Sequence, residues 1–154
     1  MRIRDIIKKE CIIEDLISTD SKREILVELS SFLFKGQYSF NEETVIATLM
    51  NRENLGSTGI GDGIAIPHGK LEGLDQLLLL FGRSRRGVDF HAMDGKPVHL
   101  FFLLVAPENS EGRHLRALAK ISRMLKDAAF RKKLLDARSK DELFEVIAEK
   151  DKSD

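Results

Sequence analysis

Cysteine is almost missing from this chain. Cys11 stands alone, so no internal disulfide can form, and a reducing compartment is the simplest setting. Its neighbours Ile12 and Ile13 make it read as a small apolar residue. A surplus of charge is missing too. Twenty-five Lys and Arg balance twenty-five Asp and Glu, for a formal net charge of +0. That balance removes the whole-chain argument for nucleic acid as a partner, although it leaves room for a local basic patch. Long apolar runs are absent. The longest, 77–81 and 100–106, fall far short of the roughly 20 residues that span a bilayer. Charges at Arg2, Arg4 and Asp5 interrupt any signal-peptide core. A soluble cytoplasmic protein with no membrane insertion is therefore expected. Prolines are few, at positions 67, 97 and 107, and there is no repeat, low-complexity tract or linker. One domain over residues 1–154 follows, long enough for a real core.

What is present is an ordinary globular mixture, 42% hydrophobic and 32% charged. Ser21 followed by Glu24 is a capping box. It opens a helix with Ile25, Leu26, Leu29, Phe32 and Leu33 on one face, ending at Gly36. Ser39 with Glu42 opens a second, with Asn41 as a competing cap and Val45, Ile46, Leu49 and Met50 inward. Ser110 caps a third bearing Leu115, Leu118, Ile121 and Leu125. Phe130, Leu134 and Leu135 mark a short fourth helix. Ser139 with Glu142 opens a fifth carrying Leu143, Phe144 and Ile147. Strands are expected at 64–66, 77–82 and 98–105. Their continuous apolar character means cover on both faces. The fold class is α/β, a three-layer α/β/α sandwich with a central mixed sheet.

The unusual stretch is Arg52 to Lys70, which holds Gly56, Gly59, Gly61, Gly63 and Gly69, five of the eleven glycines. Glycine lets backbone approach a ligand closely, and successive N–H groups in such loops cradle anions. A P-loop fails here, because five residues separate Gly63 from Gly69-Lys70 and Leu71 follows. The dinucleotide spacing fails as well. Neither ATP nor NAD is expected, and no cofactor is implied.

His68 remains, pinned at the end of a short strand between Pro67 and Gly69. A neutral imidazole nitrogen is a competent phosphoryl acceptor. Phosphoryl transfer needs positioning and positive charge, which Arg52 and the loop N–H groups could supply. On local sequence alone, a loop histidine held by structural hydrogen bonds is the better-supported reading. His114, in the first turns after Ser110, could hydrogen-bond an anion there, yet by itself reads as a half-exposed helical residue. His99 reads as a satisfied sheet residue and His91 as surface. Arg83, Arg85 and Arg86 read as a solvated turn after a strand, or less readily as a patch for an acidic partner. No metal site is expected. There is no H-E-x-x-H, no paired cysteine and no carboxylate at ligand spacing from His68 or His114, which leaves a metal hydrolase without support.

The segment Arg52-Glu-Asn-Leu-Gly-Ser-Thr-Gly-Ile-Gly-Asp-Gly-Ile-Ala-Ile-Pro-His-Gly-Lys70 resembles the signature of enzyme IIA of the phosphoenolpyruvate:sugar phosphotransferase system, fructose/mannitol class. The resemblance continues through Gly87-Val-Asp-Phe, Asp94-Gly-Lys-Pro-Val, Leu100 to Pro107, and His114-Leu-Arg-Ala-Leu-Ala-Lys-Ile-Ser, nearly the whole chain. It implies one type 2 enzyme IIA domain, a mixed sheet flanked by helices, and a phosphotransferase working through a phosphohistidine. The family's phosphorylated histidine matches His68, a second active-site histidine matches His114, and an arginine ahead of the loop matches Arg52. The implied donor is a phosphorylated HPr-like carrier, itself charged by enzyme I from phosphoenolpyruvate. The opening Ile3-Arg-Asp-Ile-Ile-Lys-Lys-Glu-Cys-Ile is most similar to the nitrogen-regulatory branch. With no linker or transporter segment up to Asp154, a free-standing component with regulatory target proteins is expected. A sugar-specific IIA component passing phosphate to a fructose or mannitol type permease is the alternative.

Overall fold

The computed structural model describes residues 1–18, 21–35, 40–110 and 112–153. After a 3-10 turn at Ile3–Asp5, the chain forms β1 (Ile7–Ile13), α1 (Lys22–Leu33), α2 (Glu42–Asn54), β2 (Gly59–Gly61), β3 (Ile64–Ala65) and β4 (His68–Leu71). It continues through β5 (Leu78–Val88), β6 (Val98–Pro107), α3 (Arg113–Leu125), α4 (Ala128–Asp136) and α5 (Lys140–Ser153). The sheet is mixed, as expected, in the order β1-β5-β6-β3-β2, with β4 also pairing β6. β5 and β6 are antiparallel, whereas β1 on β5, and β3 and β4 on β6, run parallel.

The continuous apolar runs have the anticipated cause. In β6, Phe101, Leu103 and Val105 pack with Ile25, Leu29, Val45 and Leu49 of α1 and α2. Leu100, Phe102 and Leu104 pack with Ile121, Met124, Leu134 and Ile147 of α3, α4 and α5. Alternate residues of one strand therefore enter opposite cores, and each fully buried Leu or Phe contributes about 1.5–3 kcal/mol.

Caps set the helix starts. The Glu24 N–H donates to Ser21 Oγ (3.0 Å), and the Glu142 N–H to Ser139 Oγ (3.1 Å). Asn41 caps α2, accepting from the N–H groups of Glu43 (2.9 Å) and Thr44 (3.3 Å). Gly36 and Ser39 lie outside the described residues.

Several expectations need correction. The cap position of α3 is Gly112, in a left-handed conformation, and not Ser110. Phe32, Leu115 and Leu135 are exposed, because their helices present a narrower apolar stripe than spacing suggested. Three strands escape hydropathy. β1 is an edge strand whose Lys8, Lys9 and Glu10 face solvent. β2 is only three residues long, and β4 reads His-Gly-Lys-Leu with no apolar run.

Arg83 is no turn residue. It lies inside β5 and is fully buried. Its guanidinium donates to the carbonyls of Glu14 (3.0 Å), Leu134 (2.8 Å) and Ala137 (2.6 Å). Two of these belong to the C-terminal end of α4, where unpaired carbonyls and the helix dipole favour a cation. Burial, reinforced by nearby Arg85, pulls the Arg83 pKa below its ordinary value. Arg83→Ala should lower unfolding free energy in urea by about 3 kcal/mol through orphaned carbonyls and a cavity. A loss under about 1 kcal/mol would show that the clamp is dispensable.

Candidate functional site

Backbone pairing places His68. β4 lies beside β6 with His68 opposite Leu104. Just before it, the Leu104 N–H donates to the Pro67 carbonyl (3.0 Å), and the Ile66 N–H to the Thr58 carbonyl (3.1 Å). His68 thus opens its own strand and does not close β3. Gly69 lets α2 come close, since a Cβ there would meet Thr48 Cγ2 at 3.0 Å.

Arg52, in the last turn of α2, reaches His68 directly. Its Nε–H donates to His68 Nε2 at 3.3 Å, a long bond, while Nη1 donates to the Gly56 carbonyl at 2.8 Å. His68 Nδ1 lies 2.8 Å from the Ile66 carbonyl. Arginine can only donate and a carbonyl can only accept, so the two bonds together require one tautomer. Nδ1 carries the proton, and Nε2 presents its lone pair. Burial holds the His68 pKa below its ordinary value, helped by the Arg52 charge and opposed by the Ile66 carbonyl and Glu53.

A buried network braces the loop behind Arg52. Glu53 accepts from Lys22 Nζ (2.9 Å), the Thr58 N–H (3.0 Å) and Thr58 Oγ1 (2.5 Å). Lys22 also donates to Ser57 Oγ (3.2 Å) and sits 4.5 Å from the Phe90 ring centroid. The Lys22–Glu53 pair is nearly dry, so its partners must stay satisfied, which ties Ser57 and Thr58 to α1 and α2.

His68 opens into a cleft of about 410 Å³ whose wall includes Thr48, Asn51, Arg52, Leu55, Lys70, Leu104, His114, Leu115 and Leu118. The three candidate residues, His68, Arg52 and His114, therefore meet in one place. His114 is the second residue of α3, and its Nδ1 lies 2.6 Å from Ser110 Oγ. Burial lowers its pKa, followed by the charges of Lys70 and His68. His91 and His99 lie elsewhere. His91 is exposed, and His99 Nδ1 sits 2.8 Å from the Ser84 carbonyl, a satisfied sheet residue. Among the described residues, no three His, Cys, Asp or Glu side chains cluster as metal ligands do.

Sequence reasoning missed Lys70, which strand alternation would have placed on the face of His68. It missed Thr48, Asn51 and Leu55, although with Arg52 they follow i, i+3, i+4, i+7 along one side of α2. The Ser110–His114 contact had no signal beyond a four-residue spacing.

The fold and the cleft define a class, an α/β/α domain that places an arginine-paired histidine on the wall of an open cleft. Comparison with known proteins makes this specific. The chain belongs to the EIIA 2 family of the phosphoenolpyruvate-dependent sugar phosphotransferase system, whose family model matches residues 5–150. A nitrogen regulatory protein of Bradyrhizobium diazoefficiens is 43% identical over 150 residues, covering 96% of this chain and 95% of that protein. The PTS system fructose-specific EIIABC component of Bacillus subtilis is 36% identical over 152 residues, covering 99% of this chain but 24% of that longer protein. The crystal structure of nitrogen regulatory protein IIA-Ntr from Neisseria meningitidis superposes with a TM-score of 0.87 at 36% identity, covering 94% of this chain and 98% of that one.

The lowered His68 pKa has a definite sign. Between the folded value and the ordinary ~6.5, the unfolded chain binds more protons. The stability contribution is therefore complete above about 6.5 and is lost as pH falls through the folded value. In a proton NMR titration, His68 should show a midpoint below ~6.5, and Arg52→Gln should move it upward by removing a neighbouring cation. A downward or absent movement would contradict the assigned cause.

Proposed function

We propose that this chain is a phosphohistidine carrier of the phosphotransferase system, accepting a phosphoryl group on His68 Nε2 and serving nitrogen-type regulation. The observation that carries the proposal is the pairing of Ile66 carbonyl, His68 and Arg52, which makes Nε2 the uncharged nitrogen, its lone pair held by a long bond from Arg52 that is released when the guanidinium turns to the phosphoryl oxygens. A protonated ring has no lone pair to offer, so burial that keeps it neutral also keeps it nucleophilic.

The step balances without metal or nucleotide. Nε2 of His68 attacks phosphorus as the donor's P–N bond breaks. The donor ring, which carried its own N–H, leaves as neutral imidazole. The positive charge passes to the His68 ring, where the Nδ1–H against the Ile66 carbonyl stabilises it. Arg52, Lys70 and His114 face the arriving phosphoryl oxygens.

The donor is an HPr-like protein. Leu55 and Leu115, 85% and 61% exposed, stand on the cleft wall, and apolar groups so placed suit a protein surface better than a small solute. Phosphorylation adds roughly 1.5 to 2 negative charges, enough to switch docking of regulatory targets. The regulatory reading rests on the end-to-end match to nitrogen regulatory proteins. Service to a fructose-type permease is a second reading, favoured by the Bacillus relative. A cytoplasmic location fits the free thiol of Cys11. Among the described residues, no helix is long and apolar enough to cross a membrane.

Incubation with phosphoenolpyruvate, enzyme I and an HPr-like carrier should place an acid-labile phosphate on the wild type and none on His68→Ala. Phosphorus and nitrogen NMR should locate it on Nε2. Equal labelling of both proteins would overturn the assignment. His114→Ala should retain labelling at a rate lower by about 10²-fold, the usual cost of one charge-stabilising donor.

A further inference from the structure

We infer that Ser110 is a positioning residue for phosphoryl transfer, its hydroxyl holding His114 in the tautomer that turns an Nε2–H toward the cleft. The inference deepens the phosphocarrier reading and depends on it for the role of the proton, though not for the tautomer itself.

Ser110 is 1% exposed, and its Oγ lies 2.6 Å from His114 Nδ1. Its backbone is anchored as well. The Ser110 carbonyl accepts from the Arg113 N–H at 3.0 Å and from Arg113 Nε at 3.2 Å. Among the described residues, Oγ has no other hydrogen-bonding partner.

A hydroxyl has one proton to give. If Nδ1 accepts it, the proton is satisfied and the neutral ring carries its own proton on Nε2. If Nδ1 instead donates to Oγ, a buried hydroxyl proton is left with no acceptor among the described residues, which folded proteins avoid. The first arrangement is therefore the stable one, and Nε2–H is left free to donate to a group in the cleft.

The two histidines then hold opposite tautomers. A backbone carbonyl makes His68 a lone-pair nucleophile at Nε2. A serine hydroxyl makes His114 an N–H donor at Nε2. Both walls belong to the same cleft, so one ring can attack phosphorus while the other binds a phosphoryl oxygen. In the opposite tautomer, His114 would aim a lone pair at an anion and repel it. Ser110 acts only through His114.

Nitrogen-15 NMR reads imidazole tautomers directly. At a pH above both titrations, wild-type His114 should be the Nε2–H form. Ser110→Ala should show mixed tautomers and phosphoryl uptake about tenfold slower, the scale of one ordinary hydrogen bond. Ser110→Thr, which keeps the hydroxyl, should restore both. A wild-type Nδ1–H tautomer would overturn the inference. So would a Ser110→Ala protein with a pure Nε2–H tautomer and unchanged uptake. The wild-type spectrum needs no variant, so a folding defect cannot hide the answer. If the wild type takes up no phosphate while its tautomer still depends on Ser110, the carrier reading falls and the hydrogen-bond assignment stands.

Discussion

Strand β6 is buried on both faces and hydrogen-bonded along both edges, and nearly everything else is arranged around that condition. One edge takes β5, and the other is shared by β3 and β4 in succession. A strand with no exposed face requires helices on each side, which explains the two separate cores. A shared edge requires the chain to pass from β3 to β4 without losing register. Ile66 and Pro67 make that passage, and both carbonyls stay occupied, Ile66 by His68 Nδ1 and Pro67 by the Leu104 N–H. The candidate nucleophile is thus fixed by the same backbone pairing that completes the sheet.

The electrostatics of the cleft follow from two competing needs. A phosphoryl group calls for cations nearby, yet cations and burial both discharge a histidine. Arg52 and Lys70 therefore do two things at once. In the proposed carrier they would offer positive charge to the phosphoryl group, and the Arg52 charge lowers the His68 pKa as the Lys70 charge lowers that of His114. Behind them, Glu53 neutralises Lys22 in the dry interior; Glu53 ties down Thr58 and Lys22 ties down Ser57, next to the Gly56 carbonyl that accepts from Arg52. The cost of burying that ion pair is offset only because each polar atom finds a partner.

Periodicity and capping chemistry are local, and where they dominated, the sequence was readable. Ser21 and Ser139 cap as written, β6 lies where its apolar run put it, β5 starts with its run but continues through the arginines to Val88, and the three-layer class follows from alternation into two cores. Reading failed where tertiary partners decide. β1 looks too polar for a strand until β5 supplies its ladder. Arg83 looks like a surface cation until the end of α4 supplies carbonyls for it. Ser110 looks like a helix cap until His114 turns back to meet it.

For the site, the glycine-rich stretch with Pro67-His68-Gly69 marked the place by composition alone, and the failed nucleotide motifs narrowed its chemistry. Resemblance, more than local pattern, then singled out Arg52 and His114. Covalent sequence determines which groups exist and where side-chain caps such as Ser21 and Ser139 start a helix, because those depend on neighbours a few residues away. It does not determine protonation. The tautomer of His68 follows from Ile66 and Arg52, and the one inferred for His114 from Ser110, through hydrogen bonds that depend on β4 pairing with β6 and α3 packing over the sheet. That is a tertiary decision, because a proton's position depends on which donor or acceptor stands within about 3 Å.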